Sequence, residues 1–112
     1  HDLQAENGLV WTTVTRRMIQ EHRVPEDEVK GLVGFLRGTQ GTEIAVLFIE
    51  NGNGKIKVEF RSSRQANVAE VAARLGGGGH KQASGCTVPG PLAAAQERVL
   101  REARLALPFR AG

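Results

Sequence analysis

The chain is poor in the residues that define several common classes of protein. At 112 residues it is long enough for one domain with its own core, and its single cysteine, Cys86, has no partner for an internal disulfide. Its longest apolar run, 44–49, is too short to span a bilayer, and its N-terminus lacks the charged-then-apolar layout of a signal peptide. These absences predict a soluble cytoplasmic domain with no membrane partner.

Groups of residues that would hold a metal or perform catalysis are also missing. The twelve acidic residues are scattered, apart from a cluster at 26–28 that marks a helix start, and no histidine and aspartate share a spacing suited to metal binding. His80 has no carboxylate partner to make it a base or a nucleophile. Cys86 falls in a predicted strand, where packing is the expected role. The sequence therefore predicts no catalytic residue and no cofactor within the chain.

Positive charge, by contrast, is concentrated in one segment. The net charge of the whole chain is only +3, but the segment 55–81 carries six basic residues and two acidic ones, a net charge of +4. The basic residues are Lys55, Lys57, Arg61, Arg64, Arg74 and Lys81. The segment that carries this charge also contains a glycine-rich stretch, which is typical of a surface that binds an anion.

That stretch is the run of four glycines at 76–79, followed by His80 and Lys81. Because glycines carry no side chains, their backbone N–H groups can turn toward a phosphate. A short helix is predicted over 79–84, and its start would favour the bound anion. His80 would be an additional donor. The N–H groups in this interpretation are those of Gly77, Gly78 and Gly79. Two alternatives stay open on the residues alone, a flexible linker and a helix C-cap at Leu75-Gly76.

The hydrophobic pattern predicts an α/β (α+β) fold, with a mixed sheet of about four or five strands flanked by helices. The predicted elements are a strand over 9–15, helices over 16–22 and 25–37, strands over 43–50 and 55–61, a helix over 68–75, the short helix over 79–84, a strand over 86–88 and a helix over 91–107. Residues 1–7 have no periodicity and are interpreted as a linker or a terminal segment. Trp11 is predicted to lie in the core, or to stack on a base if its strand is at an edge.

Arg61 is predicted at the end of the second hairpin strand, on its polar face, followed directly by Ser62 and Ser63. The N–H donors of a guanidinium group match the oxygens of a phosphate, and the serine hydroxyls would bond the remaining oxygens. Whether Arg61 lies near the glycine run is not fixed by the sequence, because a helix separates the two.

Three segments, 58–63, 67–72 and 76–88, resemble the DHHA1 domain that ends DHH-family phosphoesterases, and the resemblance extends over about 8–107. The subfamily that the chain resembles comprises bifunctional oligoribonucleases that also dephosphorylate phosphoadenosine phosphate. In that family an N-terminal DHH domain binds manganese and hydrolyses the substrate, while the DHHA1 domain holds it. The resemblance implies that residues 8–112 form the C-terminal domain of a larger phosphoesterase and bind without hydrolysing.

By position, the resemblance implies that Arg61 with Ser62 or Ser63 contacts the phosphate or nucleotide, and that Gly78, Gly79 and His80 grip the substrate. The expected partners are a short oligonucleotide or nucleotide phosphate, the DHH domain of the same protein and, as an option, a second copy in a homodimer. Two alternative functions are a tRNA-binding C-terminal module like that of alanyl-tRNA synthetases and a non-catalytic interaction or dimerisation domain.

Overall fold

A mixed β-sheet runs through the middle of the molecule, with helices against both faces. The structure is a computed structural model that describes residues 3–22, 26–38 and 40–108. The elements are β1 Gln4–Glu6, β2 Leu9–Val14, α1 Arg16–His22, α2 Glu26–Arg37, β3 Ile44–Glu50, β4 Lys55–Ser62, α3 Val68–Arg74, β5 Gly78–His80, β6 Ala83–Pro89 and α4 Leu92–Leu105. No helix among these is long and apolar enough to cross a membrane.

The six strands of the described part are arranged in the order β1-β2-β3-β4-β6-β5, and only the β2–β3 pair is parallel. β3 lies inside the sheet, and every residue from Ile44 to Ile49 is buried. Such a strand must be apolar on both of its faces because helices cover both. The predicted fold class and the central position of this strand are confirmed.

Each face of the sheet has its own hydrophobic core, since alternate strand residues point to opposite sides. The larger core joins β3, β4 and β6 to α3 and α4, and its bulkiest members are Phe48 and Phe60. The smaller core joins β2 and β3 to α1 and α2, through residues such as Val33 and Leu36. Gly31 and Gly34 of α2 have open space where a Cβ would stand, so they are not sites of close helix packing.

Local sequence signals place the starts of α1 and α3 correctly, while the start predicted at residue 25 lies outside the described residues. The Thr15 hydroxyl accepts a hydrogen bond from the Met18 N–H at 3.1 Å, as expected of an N-cap. The Asn67 carboxamide oxygen accepts from the N–H groups of Ala69 and Glu70, at 3.0 and 3.3 Å. The helices that begin at these two caps, α1 and α3, were both predicted from them.

The segment after the glycines differs from the prediction. A short helix over 79–84 was predicted, but this prediction is wrong, because residues 78–89 form a hairpin of β5 and β6 around a turn at Lys81-Gln82. The predicted strand 86–88 is the end of the longer β6, which pairs along its whole length with β4. Glycines are poor helix formers, and pairing with β4 stabilises the extended form instead.

The N-terminal segment also has structure that its sequence did not reveal. Gln4–Glu6 forms β1, a fully exposed strand paired antiparallel with Leu9–Trp11 of β2. Glu6 forms an ion pair with Arg104 of α4, with an N–O distance of 2.7 Å. The sheet therefore has one strand more than the largest number expected.

The glycine run begins as a helix C-cap and continues as a strand. Gly76 has φ of +86°, its N–H donates to the Ala73 carbonyl at 3.1 Å, and the Gly77 N–H donates to the Ala72 carbonyl at 2.7 Å. This pattern is the Schellman motif, which confirms the C-cap alternative for these two residues. A Cβ on Gly77 would lie 2.1 Å from the Gly85 carbonyl oxygen, whereas one on Gly78 would meet nothing within 4 Å.

The hairpin turn is tied to its surroundings by hydrogen bonds. The Lys81 carbonyl accepts from the Val68 N–H at 2.8 Å and lies 3.1 Å from the Ser62 hydroxyl. The same buried hydroxyl lies 2.8 Å from the Ala66 carbonyl. Ser62 therefore links the end of β4 to the turn and to the loop before α3.

We expect Gly77→Ala to destabilise the protein, because its Cβ would overlap the backbone of β6. The free energy of unfolding should fall by about 1–3 kcal/mol, as in other overpacked sites. Gly78→Ala is the matched control and should change stability by less than about 0.5 kcal/mol. Urea unfolding followed by Trp11 fluorescence measures both; equal losses in the two variants would contradict the packing described.

Ser62→Ala should lower the free energy of unfolding by about 1–2 kcal/mol, because the buried Ala66 carbonyl loses its hydroxyl donor and the Lys81 carbonyl keeps only the Val68 N–H. Ser63→Ala is the comparison, since Ser63 is only half-buried and water replaces its hydroxyl more readily. Denaturant midpoints of the two variants provide the measurement. A larger loss for Ser63→Ala would show that the Ser62 link is not important for stability.

Candidate functional site

The strand register brings Arg61 and His80 to one face of the sheet, on either side of Ala83. Ala83 of β6 is paired with Arg61 of β4 and with His80 of β5. Directly paired residues project to the same face, and neighbouring strands lie about 4.8 Å apart, so the two Cα atoms are separated by roughly 10 Å. Between them in the sheet stands only the short side chain of Ala83. The proximity that the sequence left open is therefore present.

The next row across the same face has almost no side chains. Glu59 of β4 pairs with Gly85 of β6, which pairs with Gly78 of β5. A Cβ on Gly85 would lie 3.2 Å from the Glu59 Oε2 atom, so glycine leaves room for this carboxylate. The floor of the candidate site thus consists of Ala83 and bare backbone, with charged side chains along one side.

Glu59 connects two of the basic side chains on this face. Its Oε2 lies 3.9 Å from Nη1 of Arg61, and its Oε1 lies 3.7 Å from Nζ of Lys57. Nη1 of Arg61 also donates to the Phe60 carbonyl at 2.8 Å. The Arg61 side chain remains 31% exposed, so its guanidinium is oriented but still accessible. Sequence reasoning did not include Glu59 in the site, although the alternation of β4 placed it on the face of Arg61.

Of the four glycines, Gly78 and Gly79 lie in β5, the edge strand of the described sheet. Edge strands present backbone N–H and C=O groups along their outer side. Gly79 has φ of +145°, and a Cβ there would lie 2.6 Å from the Ser84 Cα. The Gly77 N–H is already used in the cap of α3. The backbone groups available along this edge are therefore those of the strand, beside His80.

The two serines after Arg61 lie differently from the arginine. Ser62 is 3% exposed and points to the opposite face of the sheet, where its hydroxyl binds backbone carbonyls. The Ser63 hydroxyl donates to the Glu43 carboxylate and accepts from the Gln65 N–H. The structure brings together Arg61, the strand glycines and His80, while the Ser62 hydroxyl lies on the opposite face and the Ser63 hydroxyl is bonded to Glu43 and Gln65.

Metal ligands and a reactive thiol are not part of this arrangement. Among the described residues, no three His, Cys, Asp or Glu side chains lie close enough together to hold a metal ion. Cys86 is 7% exposed in the larger core, and burial raises the pKa of its thiol to about 11. The thiol is therefore protonated at neutral pH, and Cys86 serves the packing of the core.

Comparison with known proteins identifies relatives of this chain. The DHHA1 domain family matches residues 9–107. A curated relative from Thermus thermophilus, a bifunctional oligoribonuclease and PAP phosphatase NrnA, is 38% identical over 80 residues, which are 70% of this chain and 24% of the relative. The chain spans about a quarter of the length of such relatives.

Two solved structures show the same fold. An exopolyphosphatase-related protein from Bacteroides fragilis matches with a TM-score of 0.85 and 18% identity, over 93% of this chain and 31% of that one. The C-Ala domain of Aquifex aeolicus alanyl-tRNA synthetase matches with a TM-score of 0.66 and 15% identity, over 97% of this chain and 100% of that one. Since the family match covers nearly the whole chain, this protein belongs to the DHHA1 domain family, as the sequence resemblance indicated.

Proposed function

We propose that this chain is the substrate-holding domain of a metal-dependent phosphoesterase that acts in the cytoplasm on short oligonucleotides or phosphoadenosine phosphate. The observation that carries the proposal is the position of Arg61 and His80 on either side of Ala83, next to a strand of bare glycine backbone. The name of the Thermus relative, an oligoribonuclease and PAP phosphatase, supplies the substrate class.

Arg61 is the principal phosphate ligand in this proposal. Guanidinium offers five N–H donors in a planar fork that matches the oxygens of a phosphate. Its contact with Glu59, at 3.9 Å, is longer than a hydrogen bond, so an incoming phosphate replaces it at small cost. His80, exposed on the other side of Ala83, donates to the same phosphate or to its neighbour along the chain.

Gly78 and Gly79 allow a ligand to approach the backbone closely. Because β5 carries no side chain before His80, a ligand can lie against the backbone of Gly78 and Gly79 and bond N–H groups along the edge. Gly77 takes part through the cap that fixes where β5 begins. Ser62 and Ser63 act chiefly through the loop that they hold, and Ser63 becomes a direct ligand only if its hydroxyl leaves Glu43.

The hydrolysis itself is assigned to a separate DHH domain of the same protein, which would hold the metal, expected to be manganese. The residues of this chain would bind the phosphates, neutralise part of their charge and fix their position relative to that centre. Positioning of this kind lowers the barrier by removing translational and rotational freedom before the reaction.

The proposal is tested by titrating the 112-residue chain with phosphoadenosine phosphate and with a short oligoribonucleotide, followed by amide NMR shifts. We expect shifts at Gly78–His80 and at Arg61, and a loss of affinity of about 10- to 100-fold in Arg61→Ala, the size of a lost charged hydrogen bond. Arg101→Ala is the control, because Arg101 is an exposed residue of α4 whose partner among the described residues is Glu97 of the same helix. Shifts restricted to other surfaces, or equal losses in both variants, would contradict the proposal.

A second candidate is a tRNA-binding module, favoured by the likeness to the C-Ala domain over its whole length. A competition binding experiment distinguishes the two functions. If the domain holds short substrates, phosphoadenosine phosphate should displace a labelled short oligoribonucleotide and a folded tRNA should not bind more tightly than that oligonucleotide. A clear preference for the tRNA would favour the second candidate. If neither ligand shifts the amide NMR signals, an interaction or dimerisation domain is favoured. Analytical ultracentrifugation would then show whether the chain forms a homodimer.

A further inference from the structure

A cavity of about 470 Å³ opens on the other side of the sheet, beside β2 and between α1 and α4. β1 pairs with β2 only as far as Trp11, while β2 continues to Val14, and the cavity lies along this continuation. Its volume falls within the range of about 300–1,000 Å³ that is typical of small-molecule sites. Nothing in the proposed phosphate site involves these residues.

The cavity is well separated from Arg61 and His80. Trp11 pairs with Val46, and Val46 pairs with Phe60, so the Trp11 side chain lies on the face of Phe60 and opposite that of Arg61. His80 is on β5, four strand spacings from β2, or roughly 19 Å. A molecule in the cavity and a phosphate at Arg61 would therefore occupy different sites.

An aromatic ring forms part of the wall. Trp11 is only partly buried: it packs with Leu92 against the larger core and also lines the cavity. Leu92 and Met18 add apolar surface to the wall. A nucleobase is a flat ring that stacks favourably on an aromatic side chain. The apolar part of the wall thus favours a planar ligand.

The polar part of the wall consists of amides and hydroxyls. The Gln96 Nε2 atom donates to the Thr13 hydroxyl at 2.7 Å, which holds this amide in one orientation at the cavity wall. Gln4 supplies a second amide. An amide both donates and accepts, as the edge of a nucleobase does. All of the lining residues are uncharged, in contrast to the face of Arg61, so the cavity favours a neutral ligand over a phosphate.

We propose that this cavity is a binding site for an uncharged planar heterocycle of the nucleobase class, stacked on Trp11 with its edge bonded by Gln4 and Gln96. This site is separate from the proposed phosphate site at Arg61 and His80 and does not depend on it. A nucleoside without phosphate is therefore the appropriate probe.

The chain provides its own reporter, because Trp11 is the only tryptophan and there is no tyrosine. We expect adenosine to change Trp11 fluorescence saturably at millimolar concentrations or below, and ribose to have no effect. Gln96→Leu should weaken this binding by about 3- to 10-fold, the size of one or two lost hydrogen bonds. Gln4→Leu should also weaken the binding of adenosine. Because β1 is exposed, we expect this variant to fold, and it provides the test if Gln96→Leu does not fold.

Arg61→Ala is the matched control and should leave the adenosine response unchanged. The proposal is overturned if adenosine gives no saturable response, if ribose gives the same response, or if both glutamine variants bind like the original chain. It is also overturned if Arg61→Ala abolishes the response, because the nucleoside would then bind at the phosphate face. Failure at this cavity leaves the phosphoadenosine phosphate shifts at Gly78–His80 unaffected, so the two proposals are tested separately.

Discussion

The insertion of β6 between β4 and β5 is the constraint on which the candidate site depends. Only this pairing places Ala83 next to both Arg61 and His80, which are separated by α3 in the chain. A slip of one residue would turn one partner to the opposite face, because strand side chains alternate. Hydrogen bonds from the buried hydroxyls of Ser62 and Ser84 to backbone carbonyls hold this register.

The glycine run satisfies several requirements of this arrangement in succession. Gly76 adopts the positive φ that ends α3, and Gly77 passes so close to β6 that a Cβ does not fit. Gly78 meets neither restriction, and in the hairpin it occupies the exposed face beside the candidate site. The helix-cap interpretation therefore holds for Gly76 and Gly77, while ligand binding by the backbone stays a prediction for Gly78 and Gly79.

The parts that the sequence predicted are those governed by local signals. The caps at Thr15 and Asn67 and the doubly apolar β3 follow from residues within a few positions of one another. The β5–β6 hairpin was missed because glycines carry no hydrophobic period and its stability comes from pairing with a distant strand. For the same reason, the proximity of Arg61 and His80 was not predicted. It results from the pairing register of β4, β6 and β5, which no local sequence pattern contains.

Glu59 reduces the repulsion between two basic side chains on the face of Arg61. Its carboxylate lies between Lys57 and Arg61 and offsets part of their mutual repulsion, at distances of 3.7 and 3.9 Å. Both distances exceed that of a hydrogen bond, and partly exposed pairs of this kind contribute little to stability. Arg61 is consequently oriented by the Phe60 carbonyl and by Glu59 while most of its donors remain available. Gly85 permits this arrangement because a Cβ there would lie 3.0 Å from the Val58 carbonyl oxygen and 3.2 Å from the Glu59 carboxylate, so the position of Glu59 depends on a residue with no functional group of its own.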